Sequence, residues 1–410
     1  MSEWKKVKLG ESCIKIGSGA TPKGGSTVYT SNGTSFIRSQ NVYNLRFDYN
    51  GLTYINDEAA EKLKGVSVIE NDILLNITGD SVARTCIVPN TILPARVNQH
   101  VAIIRAKSEL LNQKYLNYYL ASPAMQAYML SLAVGKGASR NAITKLMIEN
   151  FEVPCPSLEV QCRIAEILSR YDSLIENYQK QIKLLEESAQ RLYKEWFVDL
   201  RFPGYENTKI VDGVPEGWEK KQINDICSLI TSGGTPSRNN KSFWDNGNIK
   251  WVKTKELNDT WIIDTEEHIT ETGLNNSSAK IFPPNTILMA IYASPTLGRL
   301  GILVHEACCN QAALGFIPNE FVSWQWLFYK LYELRDKFNS IARGAGQQNI
   351  SAIVVKETEI VVPEKNIIDK YTSLVTEIFN RQRTIICEIK LLIEARDRLL
   401  PKLMNGEIEV

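Results

Sequence analysis

An internal repeat constrains this sequence more than any other feature. When the sequence is shifted by 214 places, WKKVKL at 4–9 lies over WEKKQI at 218–223, and SGATP at 18–22 lies over SGGTP at 232–236. The offset then drifts by a few residues, as insertions in loops would cause. Further matches follow in the same order: Cys13 with Cys227, FIRS at 36–39 with WVKT at 251–254, Asn98-Gln99 with Asn310-Gln311, Asn141 with Asn349, and Val153-Pro154 with Val362-Pro363. A long-period repeat of this kind indicates two copies of one folding unit.

Each copy has the pattern of an α+β fold. Short apolar runs such as residues 73–77 and 286–291 are bounded by Gly, Pro, Asn and Asp, which predicts strands. Apolar periodicity near 113–132 and 324–341 predicts helices. We therefore expect a mixed sheet with a few helices in each copy.

A long helix is predicted after the first copy. From Ile164 to Trp196, apolar residues recur at alternating steps of four and three, the a/d pattern of a coiled coil. The helix should run from about 158 to about 199 and end before Pro203-Gly204.

A second long helix is predicted after the second copy. The same stepping runs from Tyr371 to Leu403 with polar interruptions at Gln382 and Arg396. Asn366 is the expected N-cap, and Asn405-Gly406 is the expected stop. A second apolar stripe, at Phe379, Ile386, Ile393 and Leu400, widens the face of this helix. Two interpretations remain open: the stripe packs on the chain's own domains, or partner helices complete a bundle there.

The predicted order is domain, long helix, domain, long helix. The expected boundaries are 1–156 for the first domain, 157–202 for the first helix, 203–365 for a linker and the second domain, and 366–410 for the second helix and tail. Because the unit repeats, a pseudo-two-fold axis would make the helices an antiparallel coiled coil. At ~1.5 Å per residue, such a rod would hold the domains about 50 to 60 Å apart. Two domains at that distance could touch one DNA duplex at two places.

Composition and charge exclude several classes. The 410 residues carry 47 basic and 46 acidic side chains, a formal charge of +1, which argues against binding polyanions through bulk charge. Residues 1–155 carry +5 and residues 206–365 carry −3, so any nucleic-acid site must be a local patch. The eight cysteines show neither a zinc spacing nor a disulfide framework, which favours reduced thiols in a cytoplasmic protein. No apolar stretch predicts export or a membrane span.

No constellation of catalytic residues stands out. The glycine-rich segment 17–25 has Gly25 where a phosphate-binding loop needs lysine, so a turn is expected. The histidines at 100, 268 and 305 share no metal-like spacing. The segment FPPN at 282–285 has the reverse of the order that an amino-methyltransferase uses to hold a flipped base. We therefore expect no active site, metal or cofactor in this chain.

Two segments resemble a known family. RLYKEWFVDLRFPG at 191–204 and LLPKLMNGEI at 399–408 are similar to the ends of the two spacer helices in specificity subunits of Type I restriction–modification systems. The resemblance covers the whole chain, since that family has two target-recognition domains, each followed by a long helix.

The resemblance implies a non-catalytic, DNA-binding subunit that reads a bipartite, asymmetric sequence. It implies two adenine-N6 methyltransferase subunits, which bind S-adenosylmethionine, and restriction subunits, which use ATP and Mg. Methyltransferase helices join the spacer helices in that family, so we expect partner docking at Trp196, Phe197, Phe379, Ile386, Ile393 and Leu400.

The family motifs lie on the helices, so DNA-contacting residues must be argued from the repeat. Positions identical in both copies, such as Thr21/Thr235 and Gln99/Gln311, should hold loops in shape. Polar loop positions that differ are better candidates, because Arg or Lys suits guanine and Asn or Gln suits adenine, while other lysines contact phosphate. The expected DNA-binding residues are Lys23, Arg38, Gln40, Asn41, Lys136, Arg140, Arg238, Lys250, Lys253, Lys255, Arg343, Gln347 and Gln348. The acidic residues of 259–271 should face away from DNA.

Two other function classes compete with DNA reading. A coiled-coil scaffold would use the repeated domains to bind peptides or other proteins. A nuclease or methyltransferase complete in one chain would need motifs that the sequence lacks. The differing polar side chains at matched loop positions favour the DNA-reading subunit.

Overall fold

A computed structural model describes residues 4–134, 141–292, 296–344 and 349–410. The chain divides into two units. The first contains residues 1–176 and 391–410, and the second contains residues 177–390. Each unit therefore combines one copy of the repeat with segments of both long helices.

The first unit contains two main sheets. An antiparallel sheet has the order Thr85–Ile87, Ile73–Asn76, Val101–Ala106, Cys13–Ser18. A mixed sheet has the order Tyr29–Thr30, Thr53–Ile55, Thr34–Ile37, Ala95–Val97, Ser67–Val68, in which only the pair Thr34–Ile37 and Ala95–Val97 is parallel. Two-stranded pairs join Lys6–Lys8 to Glu152–Pro154 and Val42–Tyr43 to Arg46–Phe47. The helices of the domain are Leu9–Ser12, Asp57–Lys62, Gln113–Ala121, Pro123–Ala133 and Lys145–Glu149.

The second unit repeats this plan. Its five-stranded sheet has the order Cys227–Ser232, Ala313–Pro318, Ile287–Ala290, Leu300–Leu303, Thr260–Ile262. A three-stranded sheet has the order Glu267–Ile269, Ile249–Val252, Cys308–Cys309, again with one parallel pair. Two-stranded pairs join Glu219–Gln222 to Glu359–Val362 and Ile210–Val211 to Val214–Pro215. The helices of the domain are Glu271–Asn275, Trp324–Glu333, Arg335–Gly344 and Ala352–Lys356. The predicted repeat and the mixed α+β fold are confirmed.

Both predicted domain helices are interrupted. The first breaks at Ser122, and Pro123 opens the next helix because proline at the first helical position needs no hydrogen-bond acceptor for its nitrogen. The second breaks at Leu334. In each unit these helices cover the sheet: Tyr115 and Leu116 in the first, Trp326 and Leu327 in the second, are fully buried in the apolar core.

The two long helices are Leu158–Tyr193, continued by a π-turn at Lys194–Val198, and Lys365–Met404. The first extent agrees with the prediction. The second begins one residue earlier than expected, so Asn366 lies inside the first turn, and the carbonyl of Glu364 accepts the first hydrogen bonds. Gly406, with φ of 68°, follows the helix as expected, because glycine adopts this left-handed conformation without strain.

Within each unit the helical segments run antiparallel. In the first unit, Ile164 and Leu168 share a core with Leu400 and Leu403. The polar interruption at Arg396 is explained there, because its Nη1 donates to Asp172 Oδ1 at 2.6 Å. Asp172 also accepts a hydrogen bond from the Tyr118 hydroxyl.

In the second unit the aromatic rings fix the helical pairing. The Tyr193 and Tyr371 rings are 6.2 Å apart, and the Phe197 and Tyr371 rings are 5.0 Å apart. Gln382, the other polar interruption, is buried beside a small cavity of about 110 Å³ that Glu186 also lines.

Candidate nucleic-acid interface

The glycine-rich turn has the same construction in both units. Thr21 Oγ1 donates a hydrogen bond to Gln99 Oε1, and Thr235 Oγ1 donates to Gln311 Oε1. A Cβ added at the preceding glycine would lie 2.0 Å from a backbone carbonyl oxygen, that of Val97 for Gly19 and that of Cys309 for Gly233. Only glycine allows this approach. The prediction that these identical residues hold loops in shape is confirmed.

The Asn-Gln pair joins this turn to the neighbouring sheet. The backbone N–H of Asn98 donates to the Ile37 carbonyl, and that of Asn310 donates to the Val252 carbonyl, both at 3.0 Å. The Ile143 and Ile350 amides donate to Ile77 and Ile291 at 2.8 and 3.0 Å, which makes Ala142 the structural equivalent of Asn349. The sequence pairing of Asn141 with Asn349 was therefore displaced by one residue.

A short 3₁₀ turn follows the central strand in each unit and carries several expected readers. In the first unit, the amide of Arg38 donates to Asn41 Oδ1 at 3.0 Å, and Asn41 Nδ2 donates to the Asp48 carbonyl at 2.9 Å. Asn41 is fully buried. Asn41 therefore holds the loop together, and its assignment as a base-reading residue is wrong because its polar atoms are already engaged inside the protein.

Arg38 and Gln40 share one anchor in the first unit. Arg38 Nη2 and Gln40 Nε2 both donate to the Gly51 carbonyl, at 2.8 and 3.2 Å. Gln40 is exposed and Arg38 is half-buried, while Lys23 is exposed beside the Thr21 turn. These three side chains remain candidates.

A basic cluster that was not predicted from the sequence lies beside this turn. The hairpin strands Val42–Tyr43 and Arg46–Phe47 follow it directly. Two guanidinium groups lie over the Tyr43 ring, that of Arg46 at 4.7 Å and that of Arg84 at 4.5 Å from its centre. Cation–π contacts of this kind orient arginine without neutralising it. The available signal was Arg46 three residues after Tyr43, but Arg84 is distant in sequence.

The matching turn in the second unit is closed by a different group. The Lys253 amide donates to Glu256 Oε2 at 2.7 Å, and Glu256 Oε1 accepts the Glu266 amide at 2.8 Å. Glu256 thus replaces Asn41 as the cap. Asn41 and Glu256 differ at matching positions because each caps the same turn with a different acceptor group.

Acidic residues neutralise the basic cluster of the second unit. Lys253 Nζ lies 2.9 Å from Glu266 and 3.3 Å from Glu267, and Lys255 Nζ lies 2.6 Å from Glu266. The bond to Glu266 is the main reason that the pKa of Lys253 is raised. Glu266 and Glu267 lie beside these lysines, because antiparallel strand pairing sets Glu267 opposite Trp251. That the acidic residues of 259–271 face away from DNA stays a prediction.

Arg238 and Lys250 belong to the same neighbourhood. Arg238 Nη2 lies 2.6 Å from Glu267 Oε2, and its side chain is half-exposed. Lys250 lies near Asp264, whose pKa is lowered: burial alone would raise it, but a 2.6 Å contact with Lys390 and the nearby Lys250 outweigh burial. Arg238, Lys253 and Lys255 are therefore paired with carboxylates.

Four expected DNA-binding residues lie outside the described residues: Lys136, Arg140, Gln347 and Gln348. Arg343 lies in the last turn of Arg335–Gly344, and its side chain is also outside the description.

The residues expected to dock partners divide into two groups. Trp196, Phe197, Phe379 and Leu400 are between 2 and 7% exposed and belong to the chain's own cores. Packing on the chain's own domains, one of the two open interpretations, therefore accounts for these four. Ile386 and Ile393 are partly exposed and stay candidates for docking.

Within residues 4–134, 141–292, 296–344 and 349–410, no group of three or more His, Cys, Asp or Glu side chains could hold a metal ion. Among the same residues, no helix is both long and apolar enough to cross a membrane.

Comparisons with known proteins agree with this architecture. The chain is 24% identical over 471 residues to the Type I restriction enzyme HindI specificity subunit of Haemophilus influenzae, covering all of both chains. It is 26% identical over 430 residues to the MjaIX specificity subunit of Methanocaldococcus jannaschii, covering 99% of this chain and 93% of the relative. The crystal structure of the Type I restriction–modification S subunit from M. genitalium has the same fold, with a TM-score of 0.60 at 15% identity over 98% of this chain and 96% of that one.

The family assignment rests on the extent of the match. The profile described as "Type I restriction modification DNA specificity domain" matches residues 1–187 and 215–394, one match for each copy of the repeat. The chain therefore belongs to the Type I restriction–modification DNA specificity family.

Proposed function

We propose that this chain reads a bipartite, asymmetric DNA sequence as the non-catalytic subunit of a Type I restriction–modification complex. Each unit would read one half-site. The observation that carries this proposal is the hydrogen bond between threonine and glutamine that both units share, Thr21 to Gln99 and Thr235 to Gln311. The same turn is thus kept in both units, while the polar side chains on the surrounding loops differ. One framework with two sets of side chains suits recognition of two different half-sites.

The partners follow from family membership and remain part of the proposal. Two methyltransferase subunits would bring S-adenosylmethionine and modify adenine, and restriction subunits would bring ATP and Mg. The partly exposed Ile386 and Ile393 support a docking surface on the second long helix. Catalysis by the partners is consistent with the lack of recognisable catalytic motifs in this sequence.

The test is to co-express the chain with a methyltransferase subunit of a Type I restriction–modification system and to map methylated adenines in the genome of the expressing cells. We expect one bipartite motif with one modified adenine on each strand. A control incubation of the purified chain with labelled S-adenosylmethionine and duplex, without partner, should incorporate no label. A single uninterrupted motif, or no motif, would contradict the proposal.

A further inference from the structure

Two tryptophans hold the segment that precedes Arg238. Trp251 Nε1 donates to the Gly234 carbonyl at 2.9 Å, and Trp244 Nε1 donates to the Ser237 carbonyl at 3.1 Å. The two rings pack edge to face with centroids 5.0 Å apart. The backbone just before Arg238 is thereby fixed at two points, continuing the turn that Thr235 locks.

The guanidinium of Arg238 is itself oriented. Its Cζ lies 3.6 Å from the centre of the Trp244 ring and 4.9 Å from that of Trp251. Glu267 accepts from Nη2 at 2.6 Å, and Glu267 lies directly opposite Trp251 in the antiparallel strand pair. Sheet register therefore places the carboxylate beside the ring on which the guanidinium stacks. The same carboxylate also approaches Lys253.

The other donors of this guanidinium remain available. The side chain is 50% exposed, and among the described residues Glu267 accepts the only hydrogen bond that it donates. An arginine fork can give two parallel hydrogen bonds to O6 and N7 of guanine. A guanidinium whose orientation is already fixed by ring stacking and by a carboxylate loses less side-chain rotamer freedom when it forms these two hydrogen bonds.

We propose that Arg238 recognises one guanine in the half-site of the second unit, with Trp244, Trp251 and Glu267 as positioning residues. The inference rests on the proposed function and deepens it. In the register that pairs Thr21 with Thr235, Gly24 stands where the second unit has Arg238. The matching hydrogen bonds of Asn98 to Ile37 and of Asn310 to Val252 set Phe36 at the place of Trp251. Among its described residues the first unit has no matching assembly, so we expect recognition of this kind in one half-site only.

The test is selection of bound sequences from a random duplex library by the purified full-length chain. Wild type should select a bipartite motif containing one guanine that R238A and R238Q no longer require, with discrimination at that position reduced about 10- to 100-fold. All other positions should be retained. The matched control is K241A, which removes one positive charge three residues away and should lower affinity without changing any base preference.

The positioning role has its own readout. W244A and E267Q should keep guanine as the preferred base but reduce its discrimination about 3- to 10-fold, because the fork is less ordered. A purely structural defect would weaken all positions of that half-site together. The inference is overturned when wild type selects a motif and both Arg238 variants leave every position unchanged, or when the relaxed position is not a guanine. Absence of any motif for wild type would instead overturn the proposed function.

Discussion

The two units use one loop framework but treat their basic side chains differently. In the first unit, Arg38 and Gln40 are anchored on a backbone carbonyl, and Arg46 and Arg84 stack on Tyr43, so the positive charge is oriented but not neutralised. In the second, Lys253, Lys255 and Arg238 are paired with Glu266 and Glu267. The difference shows that the basic side chains of matching loops on one scaffold can be ordered either by a backbone carbonyl and an aromatic ring or by carboxylates.

Substitution of the turn glycines should give the largest effect and should be equal in the two units. G19A and G233A each place a Cβ 2.0 Å from a carbonyl oxygen. We expect each to lower the free energy of unfolding by about 2 to 4 kcal/mol, because the backbone must move. Denaturant unfolding measures this. The control is G17A in the adjoining strand, where the new methyl group meets no atom within 4 Å; an equally large loss for G17A would contradict the explanation.

Removal of the turn caps should distinguish the two units. N41A deletes a fully buried side chain that accepts from Arg38 and donates to the Asp48 carbonyl, so we expect a loss of about 2 kcal/mol in unfolding free energy. E256A removes a half-buried cap and should cost about 1 kcal/mol. Q40A, which loses one exposed hydrogen bond, is the control and should change stability by less than about 0.5 kcal/mol. Equal losses for all three variants would show that the caps have no special role.

Neutralising the carboxylates of the second unit should strengthen non-specific DNA binding. The double variant E266Q/E267Q releases Lys253, Lys255 and Arg238 from their ion pairs. The plot of log affinity against log salt should steepen by up to about 2, because more cations become free to displace counterions from phosphate. Fluorescence anisotropy with an arbitrary duplex measures this. E58Q/E61Q removes two exposed Glu–Lys pairs in the first unit and is the control; an identical change there would indicate a general charge effect.

The smallest effect concerns acids on the first long helix. Burial, followed by the nearby Asp259 and Glu187 charges, raises the pKa of Glu186 to about 7 from an ordinary 4.5. Between these values the folded chain keeps a proton that the unfolded chain has released, so stability falls as pH rises through this window. E186Q should therefore be more stable than wild type at pH 8, by about 1 kcal/mol after allowance for solvent screening, and not at pH 4.

Unfolding curves at the two pH values test this expectation. The comparison variant is D172N in the first unit, which weakens the bond to Arg396 and should destabilise at pH 8. We expect E186Q to stabilise the chain at pH 8 and D172N to destabilise it. Stabilisation by both substitutions, or by neither, would contradict this expectation.

The repeat and the long helices could be predicted because their signals are local or periodic in sequence. The roles of single polar residues could not. Asn41 and Glu256 occupy turn positions where the same residue types cap backbone or read bases, and only burial distinguishes the two roles. The ion pairs of Glu266 and Glu267 with Lys253 could not be predicted, because they depend on strand register, which the sequence does not display. The wide stripe on the second helix was ambiguous for a similar reason: Phe379 and Leu400 are equally apolar whether they face the chain's own core or a partner.

The core that Leu400, Leu403 and Met404 share with Ile164 and Leu168 has a consequence for the order of folding. A ribosome finishes most of the first unit's residues early, yet that unit cannot close until the final helical turns emerge more than two hundred residues later. The second unit, continuous from 177 to 390, has no such wait. The half that is begun first should thus be completed last, and a chain truncated after residue 390 should protect the later half from proteases while leaving the earlier half open to them.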